Sequence, residues 1–180
     1  MVVHIITRLS LGGAQQIVYE LATRLQKQGE RIIVLTGLSQ AGSEGSTDNN
    51  LILENLVKQG VETRICPNFR NSISPIHDFK ALIWLIRQLK AIRPSVVHIH
   101  SSKTGILGRF AGKIVGIPKI IFHVHGWSFS RAKGLNKKFY LTLEKIFFYL
   151  TDLYIFVCLQ DSRDFVANGG NSKIEDRSIV

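Results

Sequence analysis

One hundred and eighty residues, 45% of them hydrophobic and 20% charged, suffice to bury one sizeable core and are too apolar for a disordered chain. Two cysteines, Cys66 and Cys158, stand far apart and outside any metal-ligand spacing, which excludes a disulfide framework, points to a reducing compartment and reads as two buried apolar side chains. With 23 Lys and Arg against 13 Asp and Glu the net charge is +10, so an anionic partner is expected.

The first apolar run, residues 2–6, reads as a strand; it is too short for the core of a signal peptide. Residues 14–28 follow as a helix, with Ile17, Val18, Leu21 and Leu25 at helical spacing and Gly29 as its stop. After a strand at 31–36, residues 37–50 form a Gly/Ser/Asn-rich loop longer than ordinary connections, either mobile or ligand-binding. Asn49 or Asn50 caps a helix ending near Gln59, before a strand at 61–65 and an irregular stretch at 67–75. Residues 77–92 are a helix with Phe79, Leu82, Ile83, Ile86 and Leu89 on one face, closed by Arg93-Pro94. Then come a strand at 95–99, a helix at 103–115, a strand at 119–124, a helix at 136–151, a strand at 153–158 and a short helix at 161–168. The apolar stretch 146–159 contains Thr151 and Asp152 and falls short of the roughly 20 residues that cross a bilayer.

Strands alternating with helices, with no internal repeat or linker, predict a single α/β domain over residues 1–180: a Rossmann-like, doubly wound parallel sheet in three layers. Residues 177–180 open another strand, so the chain reads as stopping in the middle of an architecture.

Two strands end in His-x-His and run into small polar residues, V-V-H-I-H-S-S-K and I-F-H-V-H-G-W-S-F. In an open α/β sheet, ligands bind at the carboxyl edge that these strands share. His98 and His100 point to one face, as do His123 and His125. The expectation is that His98 and His123 are structural while His100 and His125 reach the crevice, His125 with most room because Gly126 follows. No carboxylate or cysteine joins them at ligand spacing, so no metal is expected. Gly12-Gly13 joins the first strand to the first helix and suits either a tight turn or an anion at the helix start. The sequence is not G-x-G-x-x-G, Thr36-Gly37-Leu38 offers no acid to a ribose, and Lys103-Thr104 lacks the Walker glycines; a nicotinamide dinucleotide site and a P-loop are excluded.

Ser101, Ser102 and Lys103 begin the next helix and form a second anion-friendly group, with a serine as cap. Arg109 and Lys113, four apart, are a basic stripe or ordinary exposed charges. Trp127 and Phe129 either pack over a ligand or anchor a loop. Residues 103–145 hold nine basic residues against Glu144 alone. Arg131, Lys133, Lys137 and Lys138 adjoin a broad apolar set from Phe139 to Leu150, which suits an anionic membrane surface or a partner domain. No nucleic-acid motif is present.

In this order and spacing, Gly12-Gly13-Ala14-Gln15, V-V-H-I-H-S-S-K-T-G-I-L-G-R, I-F-H-V-H-G-W-S-F and L-T-D-L-Y-I-F-V-C make the chain resemble the N-terminal half of a retaining family-4 glycosyltransferase of the GT-B fold, as in bacterial capsule, exopolysaccharide and lipopolysaccharide synthesis. The resemblance implies a two-domain enzyme that transfers a sugar from a nucleoside diphosphate sugar to a glycan or lipid-linked acceptor. It needs no cofactor or metal and works in the cytoplasm or on the inner face of the membrane. By the same resemblance, Gly12 and Gly13 approach the donor diphosphate and His125 contacts the donor sugar; beside them Lys103 is expected at the donor, and His100, Ser101, Gly126, Trp127, Ser128 and Phe129 are expected to border the acceptor. The nucleotide-gripping C-terminal domain, with its paired glutamates, is absent after Val180, so these residues alone should be inactive. Two alternatives stay open: a noncatalytic membrane-docking subunit of a split glycosyltransferase, and a free-standing small-ligand binding module.

Overall fold

The computed structural model describes residues 1–37, 51–70 and 72–180; residues 38–50 of the predicted long loop, and with them the asparagine cap, lie outside the described residues. Seven strands form one sheet of order β3-β2-β1-β4-β5-β6-β7, parallel throughout. They are β1 (Val2–Arg8), β2 (Ile32–Gly37), β3 (Glu62–Ile65), β4 (Val96–His100), β5 (Lys119–Val124), β6 (Leu153–Phe156) and β7 (Ser178–Ile179). Winding runs outward from β1 to β3, returns to β4 beside β1 and continues the other way, so the switch in strand order falls between β1 and β4.

Alternation along the central strands divides the core in two. Val3, Ile5, Val97, Ile99, Ile120 and Phe122 join Ala81, Leu85 and Leu89 of α3 (Pro75–Ile92) in the larger cluster. Ile6, Ile32 and Val34 point the opposite way, onto Val18 and Ala22 of α1 (Gly13–Lys27) and Ile52 and Leu56 of α2 (Leu51–Lys58). The result is the three-layered, doubly wound arrangement that the alternating pattern predicts. On the larger-cluster face α4 (Ser102–Val115) presses a row of glycines against the sheet: a Cβ on Gly105 would stand 2.7 Å from Phe122, and one on Gly108 3.1 Å from Ile99. The row is what lets helix and sheet backbones approach this closely.

Several boundaries differ from the sequence reading for local reasons. α3 starts at Pro75 instead of 77, because proline suits a first helical turn that needs no N–H. The predicted helix at 136–151 is two pieces, α6 (Gly134–Phe147) and a 3₁₀ turn (Phe148–Leu150), and is preceded by a short helix the sequence reading did not expect, α5 (Ser128–Arg131). β6 ends at Phe156, and α7 (Leu159–Ala167) begins two residues before the predicted start. Cys66 is buried as expected, but Cys158, at the start of α7, is exposed.

Candidate functional site

Five of the six histidines form one group on the α1 side of β1, β4 and β5. In register His4 faces His98 and His100 faces His123, with His125 one step beyond the end of β5. His4 Nδ1 lies 3.2 Å from His100 Nε2, and His100 Nδ1 lies 3.3 Å from His125 Nε2. His98 and His123 stack beside this line, 5.5 Å apart and 6° from parallel. His100, expected to reach the crevice, is instead fully buried, because the line of imidazoles passes through it to His4; only His125 is half-exposed. Sequence reasoning missed His4, though a histidine centred in V-V-H-I-I was a readable signal.

Burial keeps the whole group neutral. Desolvation, then the neighbouring His123, lowers the pKa of His4 to about 4; desolvation, then His125, does the same at His123; and desolvation lowers His125 to about 4. His98 and His100 are held well below the ordinary histidine value by burial first and the other imidazoles second. Two triplets, His4 with His98 and His100 and His100 with His123 and His125, bring nitrogens within 4.8 Å of one another, a spacing that could hold a metal. Along each strand, however, the paired rings lie nearly face to face, 4.3 Å apart at 32° on β4 and 19° on β5. In-plane lone pairs so arranged run side by side, and these rings would have to turn before converging on one ion.

Gly12 and Gly13 lead into α1 at the same carboxyl edge, both exposed. Neither is demanded by packing or by the turn. Gly12 has the extended φ of 161° that any residue adopts, and its Cβ would meet only the flexible end of Gln15; a Cβ on Gly13 would meet nothing within 4 Å. The first turn of α1 has no acidic residue and no side-chain cap, so its free N–H groups face solvent across bare backbone. Gly126, with φ +95°, turns the chain directly after His125.

On the other side of β4, Ser101 holds φ 65° and ψ 151°, a conformation costly to any residue with a side chain. Its hydroxyl does not cap α4 as predicted. Instead it lies 2.8 Å from both Thr7 Oγ1 and Thr104 Oγ1, tying β1 to α4. The Lys103 ammonium forms an ion pair with Asp78 at 2.6 Å and donates to the Ser72 carbonyl, so its charge is met within the protein. Beside it opens a cavity of about 660 Å³ with two characters. Thr7, Gln15, Ser101, Ser102 and Ser128 line one part, and Ile73, Ile106, Leu107, Phe139 and Leu143 another.

Trp127 and Phe129 do not border this cavity. Trp127 is buried among Phe122, Phe129, Tyr154, Phe156 and Phe165 and donates its indole N–H to the Asp161 carbonyl at 2.6 Å, and Phe129 is fully buried; both anchor the segment. Arg109 is neither an exposed charge nor part of a stripe with the exposed Lys113. It is wholly buried, 2.8 Å from Glu144, donates to the Gly105 carbonyl and lies over the rings of Phe122 and Phe147. Arg131, Lys133 and Lys138 are exposed and Lys137 half-buried, beside the exposed Leu135, Phe139, Ile146 and Tyr149. Among the described residues no helix is long and apolar enough to cross a membrane.

Comparison with known proteins gives the family and the fold. The family model of Glycosyltransferase Family 4 matches residues 11–175. Over 86 residues, 48% of this chain and 22% of the relative, the sequence is 40% identical to the Escherichia coli UDP-Gal:alpha-D-GlcNAc-diphosphoundecaprenol alpha-1,3-galactosyltransferase. Among solved structures, Anabaena HepE in complex with UDP and glucose aligns with a TM-score of 0.68 at 14% identity, covering 99% of this chain and 43% of its own. The lipopolysaccharide outer core galactosyltransferase WaaB in its apo form aligns at 0.67 and 12% identity, over 100% of this chain and 45% of its own. These structural likenesses show the fold, and the chain spans less than half the length of each of these relatives.

Proposed function

Because the chain belongs to glycosyltransferase family 4, we propose that it is the acceptor-side Rossmann domain of a retaining GT-B enzyme in cell-surface polysaccharide synthesis, completed by a nucleotide-binding domain that these residues do not include. The observation that carries the reading is the convergence at one sheet edge of an uncapped helix start preceded by two exposed glycines and a row of neutral imidazoles ending at the half-exposed His125. Exposed backbone N–H groups at Gly13 and the first turn of α1 suit the diphosphate of a nucleoside diphosphate sugar, and the helix dipole favours the negative charge that grows on it as the bond to the sugar breaks. His125, neutral near pH 7, suits a hydrogen bond to the donor sugar. Charge on the leaving diphosphate is met by these dipoles, so the transfer requires no metal or other cofactor.

The cavity on the opposite side of β4 supplies the acceptor path. Its hydroxyl-lined part, from Thr7, Ser101 and Ser128, suits a sugar, and its apolar part suits the first units of a lipid carrier. Ile73 at that apolar end is exposed, as are Ile76 and Phe79 of α3 and Leu135 of α6, and α6 carries Lys137 and Lys138 behind Lys133, a combination fit for an anionic membrane face on the cytoplasmic side. The galactosyltransferase relative is named for a diphosphoundecaprenol-linked substrate, which supports a lipid-linked acceptor here.

The test uses the full-length protein with radiolabelled UDP-galactose or UDP-N-acetylglucosamine and a polyprenyl-diphosphate-linked N-acetylglucosamine. Transfer to lipid is expected, and His125→Ala should lower kcat/KM by about 10²–10³-fold without moving the urea midpoint. Near-normal turnover of that variant would remove His125 from the site.

A further inference from the structure

The line of imidazoles has an end inside the protein and an end at the crevice, and its chemistry fixes a direction. His100 is bonded through both nitrogens, to His4 at 3.2 Å and to His125 at 3.3 Å, with ring centroids 5.5 and 5.6 Å apart, the spacing of rings meeting edge to edge along the N···N line, so the contacts are N–H to N hydrogen bonds. A neutral imidazole carries one N–H; a ring using both nitrogens therefore donates with one and accepts with the other. All protons in the row must then point the same way, inward toward His4 or outward toward His125.

The buried end decides between the two. His4 Nε2 is enclosed and has no hydrogen-bond partner among the described residues. Protons pointing inward would leave an N–H there with no acceptor, the rarer defect of folded proteins; pointing outward, they leave only a bare lone pair. We propose that His100, backed at the buried end by His4, is a positioning residue that holds the proton of His125 on Nδ1, so that His125 meets the donor as a neutral hydrogen-bond donor and not as a base. This rests on the reading of His125 as a donor contact. A free histidine prefers the proton on Nε2, so the row imposes the less favoured tautomer. The arrangement also explains a buried polar row where a sheet interior calls for valine or isoleucine: His4 and His100 touch no ligand, but His100, with His4 behind it, sets which face of His125 carries hydrogen.

The experiment is long-range ¹H–¹⁵N correlation on full-length protein labelled with ¹⁵N-histidine, at pH 7.5. Wild type should show His125 protonated on Nδ1, and His100→Leu should return it to Nε2. His100→Asn, whose amide N–H stands where Nδ1–H stood, should keep the wild-type tautomer and recover at least tenfold of the turnover that His100→Leu loses, with the effect in kcat and not KM. Should His100→Leu fail to fold, His100→Met, which equally lacks a ring N–H, is expected to release His125 in the same way, whereas His4→Phe leaves His100 Nδ1 donating outward and should keep the wild-type tautomer. Nε2–H on His125 in wild type, or an unchanged tautomer in His100→Leu or His100→Met, overturns the proposal even if His125→Ala is inactive. The predicted tautomers support the row even if His125→Ala is fully active, a result that would instead defeat the donor-site reading.

Discussion

Two polar assemblies lie buried on opposite faces of the same strands, and they solve the problem of burial in opposite ways. On the α4 face Arg109 keeps its charge by meeting Glu144 at 2.8 Å, between aromatic walls. On the α1 face five histidines meet no acid among the described residues and give up charge altogether. The first assembly fixes α6 onto α4 and so shapes the cavity that Glu144 helps to line. The second keeps hydrogen-bonding capacity without charge and delivers it to the edge. Charge is retained where a partner fixes a position, and surrendered where the group must stay able to bind something else.

The sharpest way to break the contrast is to remove one side of the charged pair. Glu144→Ala leaves the Arg109 guanidinium buried and unpaired and should cost about 3–5 kcal/mol in urea denaturation, while Arg109→Met with Glu144→Leu should come out near neutral. A loss well under 1 kcal/mol for Glu144→Ala would mean that the pair does not carry the charge as described.

Acid attacks the other side. Burial, then His123, lowers the pKa of folded His4 to about 4, below the ordinary 6.5, so between those values the unfolded chain binds the extra proton and stability falls as pH falls. It is fully present above pH 6.5 and lost on approach to pH 4, with a slope from His4 alone approaching about 1.4 kcal/mol per pH unit. Urea midpoints measured from pH 7 to 4.5 should trace this fall, and His4→Phe should flatten it; an unchanged slope in the variant would mean that His4 is not the buried neutral base described.

The remaining tests concern surfaces. Reversing Lys137 and Lys138 to glutamate should lower co-sedimentation with phosphatidylglycerol vesicles more than tenfold, at about 1 kcal/mol for each lysine near the surface, and an equal bound fraction would dismiss the membrane face. Gly13→Ala should leave stability within about 0.5 kcal/mol, since its Cβ meets open space, yet raise the KM for the nucleotide sugar several-fold. Unaltered KM would return the glycine to a plain surface turn.

The architecture was legible because strands and helices here differ in period and are separated by clear stops such as Gly29 and Arg93-Pro94. Where the reading failed, the missing information was a distant partner. Nothing near Arg109 in the chain announces Glu144, 35 residues on, yet that contact turns an ordinary helix charge into the largest fully buried side chain. Asp78 likewise pairs with Lys103 from a distant helix, and the aromatic residues around Trp127 come from β5, β6 and α7. The two His-x-His strands could be seen to share an edge, but the place of His4 beside them depends on β1 pairing with β4 in register, which no local pattern states. Gly105, Gly108 and Gly112 were readable as a flat helix face only once a strand lay beneath them.

A crystal structure of the full-length protein with UDP-galactose bears most directly on the central claim, that β1 and β5 bring a bare helix start and an imidazole together around the donor. The account predicts the diphosphate against the backbone N–H groups that follow Gly12 and a sugar oxygen within hydrogen-bond reach of His125 Nδ1. A donor whose diphosphate contacts neither Gly13 nor the first turn of α1, with His125 turned away from the sugar, would contradict it.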